Sequence, residues 1–181
     1  MTTLNNDSYA EFPQRGELRI VRLLPGPIER VWEFLTDPAK RARWFAGGAT
    51  EPRAGGRIEF VMHHKNLSPG ETAPAKYAQV QDPGVTFEGR VLRYERPHVL
   101  SYTFGAENSQ VTFELQPQGE HVLLILTHRS EGDDIPEQGN YAGGWHTHLA
   151  LLVALLEGTP LPKFWATNAR LHAHYQQVAP R

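Results

Sequence analysis

The sequence predicts an α+β protein in which an antiparallel sheet of six to seven strands curls around one long apolar helix near the C-terminus. Four β segments follow one another over residues 85–129, joined by connections of three or four residues, as in an antiparallel meander. A single long apolar helix follows over residues 138–157. Helices and strands therefore fall in separate blocks, which is typical of α+β rather than α/β proteins.

One folded domain accounts for nearly the whole chain. With 181 residues and no linker-like stretch, the chain is long enough for one full hydrophobic core. We assign the domain to residues 17–181, with residues 158–181 as a helical extension. Residues 1–16 are polar and are expected to form a mobile tail with at most one docking point, at Tyr9 or Phe12.

A strand and two short helices open the domain. Residues 17–24 alternate between apolar and polar side chains and predict a strand that stops at Pro25. Pro27 suits a first helical position because its missing N–H needs no partner there. Asp37 before Pro38 is the pattern of a capping carboxylate followed by a second helix. The apolar residues of the first helix recur at helical spacing at Ile28, Val31, Trp32 and Leu35.

A second strand is predicted over residues 57–64, after two glycines. Side chains alternate along a strand, so Phe60, Met62 and His64 share one face. The connection over residues 65–83 is rich in proline and glycine and is longer than most loops, which is typical of lids or disordered segments. A weak extra strand over residues 77–80 is compatible with its sequence.

The remaining strands are predicted over residues 85–95, 99–105, 110–116 and 121–129. The helix over 138–157 ends at Gly158. A last amphipathic helix is predicted to pack either on the outside of the domain or against a second subunit, as in a homodimer. The apolar stripe of the long helix consists of Tyr141, Trp145, Leu149, Leu152 and Leu156, and that of the last helix includes Phe164, Trp165, Leu171, Tyr175 and Val178.

Composition excludes several classes of function. The chain has eighteen basic and twenty acidic residues, and no basic cluster is denser than Lys40-Arg41-Ala42-Arg43, so nucleic acid is not an expected partner. The longest apolar run, residues 149–156, is too short to cross a bilayer, so no membrane insertion is expected. The first residues lack the pattern of a signal peptide, and we expect a cytoplasmic protein. The absence of cysteine excludes disulfides and thiolate chemistry.

Metal, cofactor and nucleophile motifs are missing from the sequence. Among nine histidines, the pairs His146/His148 and His172/His174 have a spacing that places the two side chains on different sides of a helix. His63 and His64 lie on opposite faces of a strand. No Gly-x-Ser-x-Gly nucleophile turn and no phosphate-binding glycine loop is present. We therefore predict no metal, no cofactor and no catalytic residues.

The order of these segments resembles the START-like (SRPBCC) superfamily and, within it, the domain shared with the C-terminal half of the activator of Hsp90 ATPase. The resemblance spans about residues 17–158, and its departures are the 65–83 connection, Gly26 in place of the usual alanine, and the extension after Gly158. The segments that carry it are 22–32, Leu35-Thr36-Asp37-Pro38 with Trp44, Gly55-Gly56, 87–91, 111–115, 124–128 and Gly144-Trp145.

This resemblance implies the helix-grip fold, in which a bent antiparallel sheet grips the long helix and leaves a cavity between them. Members of the superfamily bind lipids, hormones or polyketides, and a minority are enzymes, so the fold alone does not decide the function. Trp145 and Tyr102 each carry a polar group that suits ligand orientation. His128 is expected at the cavity rim, because it shares a strand face with Leu124 and Leu126.

The leading interpretation is a non-enzymatic binder of one small, mostly apolar molecule such as a lipid, an isoprenoid or a polyketide-like compound. The 65–83 connection would act as its lid. For the leucines, simple core packing is the competing interpretation. The candidate ligand-binding residues are Trp44, Phe60, Met62, Tyr102, Phe104, Phe113, Leu126, His128, Trp145, Leu149 and Leu152.

Two other functions stay open at this level. One is a protein-interaction module that docks on a chaperone or another protein, as the Hsp90 activator does. The other is an enzyme of the cyclase, aromatase or hydrolase type. In the enzyme, a buried His128, Glu88 or Asp133 with a shifted pKa would act on a ligand bound in the same cavity.

Overall fold

A computed structural model describes residues 4–180 of the chain. In this part, the strands are β1 (Glu11–Gln14), β2 (Glu17–Pro25), β3 (Arg57–Met62), β4 (Val85–Glu95), β5 (Val99–Phe104), β6 (Ala106–Gln118) and β7 (His121–Ser130). The α-helices are α1 (Ile28–Thr36), α2 (Pro38–Arg41), α3 (Ala78–Gln81), α4 (Gln138–Glu157) and α5 (Phe164–Val178). Short 3₁₀ helices cover His64–Asn66, Ala75–Tyr77 and Gly132–Glu137.

The seven strands form one antiparallel sheet in the order β1-β2-β7-β6-β5-β4-β3. The first long strand, β2, pairs along its whole length with the last one, β7, so the chain returns to its start before it enters α4. Helix α4 packs on β2 on the inner side of the sheet. The predicted helix-grip fold is therefore confirmed.

The core lies between the inner face of the sheet and α4. Alternate residues of β2 are buried, beginning with Leu18 and Ile20, because every second side chain points toward α4. Leu149 and Leu152 of α4 are fully buried in the same cluster. Burial of side chains of this size, at about 25 cal/mol per Å² of apolar surface, supplies most of the stabilisation.

The ends of two helices, α4 and α2, follow the predicted signals. Gly158 adopts φ 69°, the left-handed conformation that glycine accepts at no steric cost, and ends α4 where the sequence predicted. The carboxylate of Asp37 caps α2 by accepting a hydrogen bond from the Lys40 backbone N–H at 2.8 Å. Helix α5 packs on α4, where a Cβ atom on Gly143 would lie 2.8 Å from His172 Nδ1.

Helix α5 therefore lies on its own domain. Its aromatic residues Phe164, Trp165 and Tyr175 are buried within the chain. These side chains were the basis for expecting a homodimer contact, and they are not available for one in this arrangement.

Several local predictions were wrong. The strand predicted over residues 57–64 ends at Met62, and His64 begins a 3₁₀ helix instead of sharing a strand face with Met62. Residues 11–14 do not belong to a mobile tail, because they form β1 on the outer edge of β2, and the backbone N–H of Ala10 donates to the Tyr175 hydroxyl at 2.7 Å. The weak strand expected over residues 77–80 is helical instead. The outer edge of β3, the strand that precedes this segment in the chain, already forms bridges with Gly47 and Thr50.

Candidate functional site

A cavity of about 310 Å³ lies at one end of the space between the sheet and α4. Its walls come from the first half of α4, the start of α5, the ends of β3 and β5, and the 65–83 connection. The lining residues are Met62, His64, Tyr77, Val80, Phe104, Asn140, Tyr141, Gly144, Trp145, His148, Phe164, Trp165 and Asn168. This volume is at the small end of the range for small-molecule sites.

Three of the eleven residues predicted to bind a ligand line this cavity, namely Met62, Phe104 and Trp145. The other eight are buried in the core beside or behind it and do not line it. They are Trp44, Phe60, Tyr102, Phe113, Leu126, His128, Leu149 and Leu152.

Phe45 is the reason that the space between the centre of the sheet and α4 is filled. Its ring is buried, with its centroid 4.9 Å from that of Trp145, 5.7 Å from that of Phe104 and 5.9 Å from that of Phe60. The space expected between the centre of the sheet and α4 is therefore filled by an aromatic cluster. The open space is displaced toward the N-terminal half of α4.

His128 does not lie at the cavity rim, contrary to the sequence prediction. Its side chain is fully buried, and burial lowers its pKa to about 4. The Nε1–H of Trp145 donates to Nδ1 at 2.9 Å, so the proton of the neutral ring is on Nε2, which lies 2.7 Å from Ser109 Oγ. His128 therefore orients Trp145, which lines the cavity, instead of facing a ligand itself.

The three groups considered for acid–base chemistry do not converge. Glu88 is exposed on the sheet, where it accepts a hydrogen bond from Arg57 Nη1 at 2.9 Å. Asp133 is exposed on the 3₁₀ segment before α4. It is the neighbouring Asp134 that contacts the site, by accepting a hydrogen bond from the Tyr141 hydroxyl at 2.6 Å.

Two histidines that were not among the predicted binding residues line the cavity instead. His64 and His148 are both buried, and their ring centroids lie 5.1 Å apart. Burial lowers the pKa of His64 to about 3 and that of His148 to about 4, so both rings are neutral near pH 7. The signal for His148 was present in the sequence, since it lies one helical turn after Trp145.

The 65–83 connection covers the cavity and is attached to the start of α5. Tyr77 stacks on Trp165 with ring centroids 5.1 Å apart. The Nε1–H of Trp165 donates to Gln81 Oε1 at 2.9 Å. Glu71 Oε1 accepts the backbone N–H groups of Trp165 and Ala166 at 3.1 and 3.2 Å. A carboxylate in this place also interacts favourably with the positive end of the helix dipole.

Within residues 4–180, no three His, Cys, Asp or Glu side chains are grouped so that they could hold a metal ion. The same residues contain no helix that is both long and apolar enough to span a bilayer. Charged side chains are absent from the cavity wall over this range, so its polar groups are imidazole, amide, indole and phenol groups.

Comparison with known structures places this arrangement in a defined class. The chain resembles the solution structure of the protein encoded by gene BPP1335 from Bordetella parapertussis, with 41% identity over 94% of this chain and 90% of that chain and a TM-score of 0.80. It also resembles the crystal structure of CalU16 from Micromonospora echinospora, with 21% identity over 91% and 89% of the two chains and a TM-score of 0.64. The fold is that of START-like (SRPBCC) helix-grip domains.

The family follows from a sequence match over most of the chain. Residues 25–157 match the family described as activator of Hsp90 ATPase homolog 1-like protein. The chain therefore belongs to this family. A third similar structure is that of EF2215, a conserved protein of unknown function from Enterococcus faecalis, with 15% identity over 89% and 82% of the two chains and a TM-score of 0.68. No curated protein sequence matches the chain.

Proposed function

We propose that the protein binds one small, mostly apolar molecule in the cavity between the first half of α4, the start of α5 and the 65–83 connection. The observation that carries this proposal is an aromatic-lined space of about 310 Å³ without a charged side chain on its wall. Membership of a superfamily whose fold typically binds ligands supports it.

Affinity comes from apolar burial. Aromatic walls at Phe104, Trp145 and Phe164 remove ligand surface from water, at about 25 cal/mol per Å². Polar groups at a few positions then set the orientation of the ligand. Of the residues predicted from sequence, Met62, Phe104 and Trp145 contact the ligand, and the buried eight support the wall from behind.

Residues 65–83 act as the lid. The contacts that close it are side-chain contacts of Glu71, Tyr77 and Gln81 with the start of α5. Leu67 and Ser68 are buried and anchor the start of the segment. The part from Glu71 to Gln81 is only half-buried or exposed, so it is expected to open at lower cost than the sheet. A ligand enters when this part opens and is enclosed when it closes again.

The experiment is native mass spectrometry of the gently purified protein, followed by a thermal-shift screen of fatty acids, isoprenoids, flavonoids and polyketides. A co-purifying small molecule, or a compound that raises the melting temperature as tight occupancy should, supports the proposal. An empty protein that no compound stabilises counts against it and favours a protein-interaction module, in which a chaperone or another protein is the partner.

A further inference from the structure

His148 presents an acceptor in a defined protonation state to the cavity. Its Nδ1 lies 2.7 Å from the backbone carbonyl oxygen of Trp44. A carbonyl oxygen only accepts, so the proton of the imidazole is on Nδ1. Because the buried ring is neutral, Nε2 has a lone pair and no hydrogen. His148 therefore offers a hydrogen-bond acceptor at Nε2.

His64 has an unsatisfied polar group at the same place. Its ring is 4% exposed, and Nδ1 is buried without a hydrogen-bond partner among the residues that the structure describes. Phe164 and Trp165 hold the ring, with centroids 4.9 and 5.6 Å away. A buried polar atom without a partner is destabilising, because it loses its hydration without gaining a hydrogen bond. Because Nδ1 is closed to water, a ligand in the cavity meets the other ring nitrogen, Nε2, which is not among the buried atoms and forms no hydrogen bond with the described residues. We assign the proton of the neutral ring to Nε2, since a buried lone pair at Nδ1 is easier to leave without a partner than a buried N–H.

Most of the other polar side chains of the wall donate a hydrogen bond inside the protein. Asn140 donates to Glu137 Oε2 at 2.6 Å, and Asn168 donates to Thr147 Oγ1 at 3.3 Å. The Tyr141 hydroxyl donates to Asp134, and the Trp165 indole N–H donates to Gln81. The two imidazoles are thus the groups best placed to recognise a polar substituent on the ligand.

The wall also limits the shape and charge of that ligand. Its aromatic residues are Tyr77, Phe104, Tyr141, Trp145, Phe164 and Trp165, which favour a planar ring system through stacked and edge contacts. A carboxylate or an ammonium group would lose its hydration without gaining an ion pair, since the described part of the wall has no charged side chain.

We propose, building on the binding function above, that the ligand is an uncharged aromatic molecule with a hydroxyl group that donates to Nε2 of His148 and accepts from the ring N–H of His64. A hydroxyl can fill both roles. A ketone can only accept, and so satisfies one imidazole. A carboxylate can also only accept, and it introduces a charge that the wall does not neutralise.

The test uses four probes of the same ring size and isothermal titration of the full-length protein at pH 7.5. The probes are 2-naphthol, 2-methylnaphthalene, 2-acetylnaphthalene and 2-naphthoate. One neutral hydrogen bond is worth about a tenfold change in Kd. We expect 2-naphthol to bind about tenfold or more tighter than 2-methylnaphthalene, with 2-acetylnaphthalene between them and 2-naphthoate weakest.

The variant H64F removes the ring nitrogens but keeps an aromatic ring against Phe164 and Trp165. It should weaken 2-naphthol about tenfold and leave 2-methylnaphthalene unchanged or tighter. The matched control is H121F, because His121 is exposed and does not line the cavity. In the wild-type protein, ¹⁵N shifts of the His148 ring should change with 2-naphthol and not with 2-methylnaphthalene.

The results separate a failure of the hydroxyl inference from a failure of the proposed binding function. If 2-methylnaphthalene binds as tightly as 2-naphthol, or if 2-naphthoate binds tightest, the hydroxyl inference is wrong while the proposed binding function stands. If no apolar compound binds, with or without a hydroxyl, the proposed function itself fails.

Discussion

The indole N–H of Trp145 donates to Nδ1 of His128 across 2.9 Å in the interior of the domain. This bond joins the last long strand, β7, to α4 and fixes the orientation of a ring that lines the cavity. Ser109 on β6 completes the connection at the other ring nitrogen. One buried histidine therefore links two strands, the long helix and the wall of the site.

Replacing His128 with phenylalanine should destabilise the fold and disturb the cavity. The variant H128F leaves the Trp145 N–H and the Ser109 hydroxyl without their partner, at a combined cost of about 2 to 4 kcal/mol. Urea unfolding measures the change. The control H121F replaces an exposed histidine at the start of the same strand. Equal stabilities of the two variants would contradict the structural role of His128.

Lowering the pH should destabilise the protein at pH values well above those at which carboxylates titrate. Burial lowers the pKa of His128 and His148 to about 4 and that of His64 to about 3, from an ordinary value of about 6.5. Between these values the unfolded chain binds protons that the folded chain does not. Stability is therefore full above about pH 6.5 and is lost as the pH falls toward the folded-state values.

The slope of this loss is up to about 1.4 kcal/mol per pH unit for each such histidine. Chemical denaturation at several pH values between 7.5 and 5.0 measures it. The variant H128Q, whose side chain does not titrate, should show a shallower slope than the wild-type protein. A stability that does not change over this range would contradict the assignment of these rings as buried and neutral.

Removing the charge of Glu71 should loosen the lid and leave the rest of the fold in place. The variant E71Q weakens the interaction with the start of α5, because a neutral amide interacts less with the helix dipole and accepts weaker hydrogen bonds. We expect faster limited proteolysis within residues 65–83 and a global loss of at most about 1 kcal/mol. E120Q, at an exposed glutamate between β6 and β7, is the control. Unchanged cleavage would argue against this attachment.

Gly89 allows β4 and β5 to approach closely. A Cβ atom there would lie 2.2 Å from the carbonyl oxygen of Thr103, a separation that backbone atoms cannot tolerate. The variant G89A should therefore lose about 1 to 3 kcal/mol or more in urea unfolding. G144A, at a glycine whose added Cβ meets nothing within 4 Å, should be neutral or stabilising. A neutral G89A would show that the two strands separate easily.

The sequence predicts the fold well and the site only in part. Alternation along β2 and the helical period of residues 138–157 depend on local pattern, and both elements were placed within a residue of their observed ends. The position of the cavity depends on which side chain fills the centre of the grip. Phe45, in the segment after α2, takes that place, and no local pattern shows where such a segment docks.

The two imidazoles illustrate the same limit. In the sequence, His64 and His148 belong to two separate histidine pairs whose spacing does not suit a metal site. Neither pair indicates that the two residues meet in the folded protein. They meet because the end of β3 and the first half of α4 converge under the lid, and a single sequence does not show this contact. Strand β1 was not predicted because its four residues, one of which is a proline, are too few to show the alternation of apolar and polar side chains.

Filling the cavity tests the central claim most directly. Gly144 lies on the wall, and a Cβ atom there has open space, so G144L should place its side chain in the cavity without disturbing α4, whereas G144A leaves most of the volume free. The measurement is the Kd of the best compound from the thermal-shift screen, by isothermal titration, for both variants. The binding account predicts wild-type affinity for G144A and a loss of at least about tenfold for a folded G144L. Equal affinities of the two variants would show that the ligand binds elsewhere and would contradict the account.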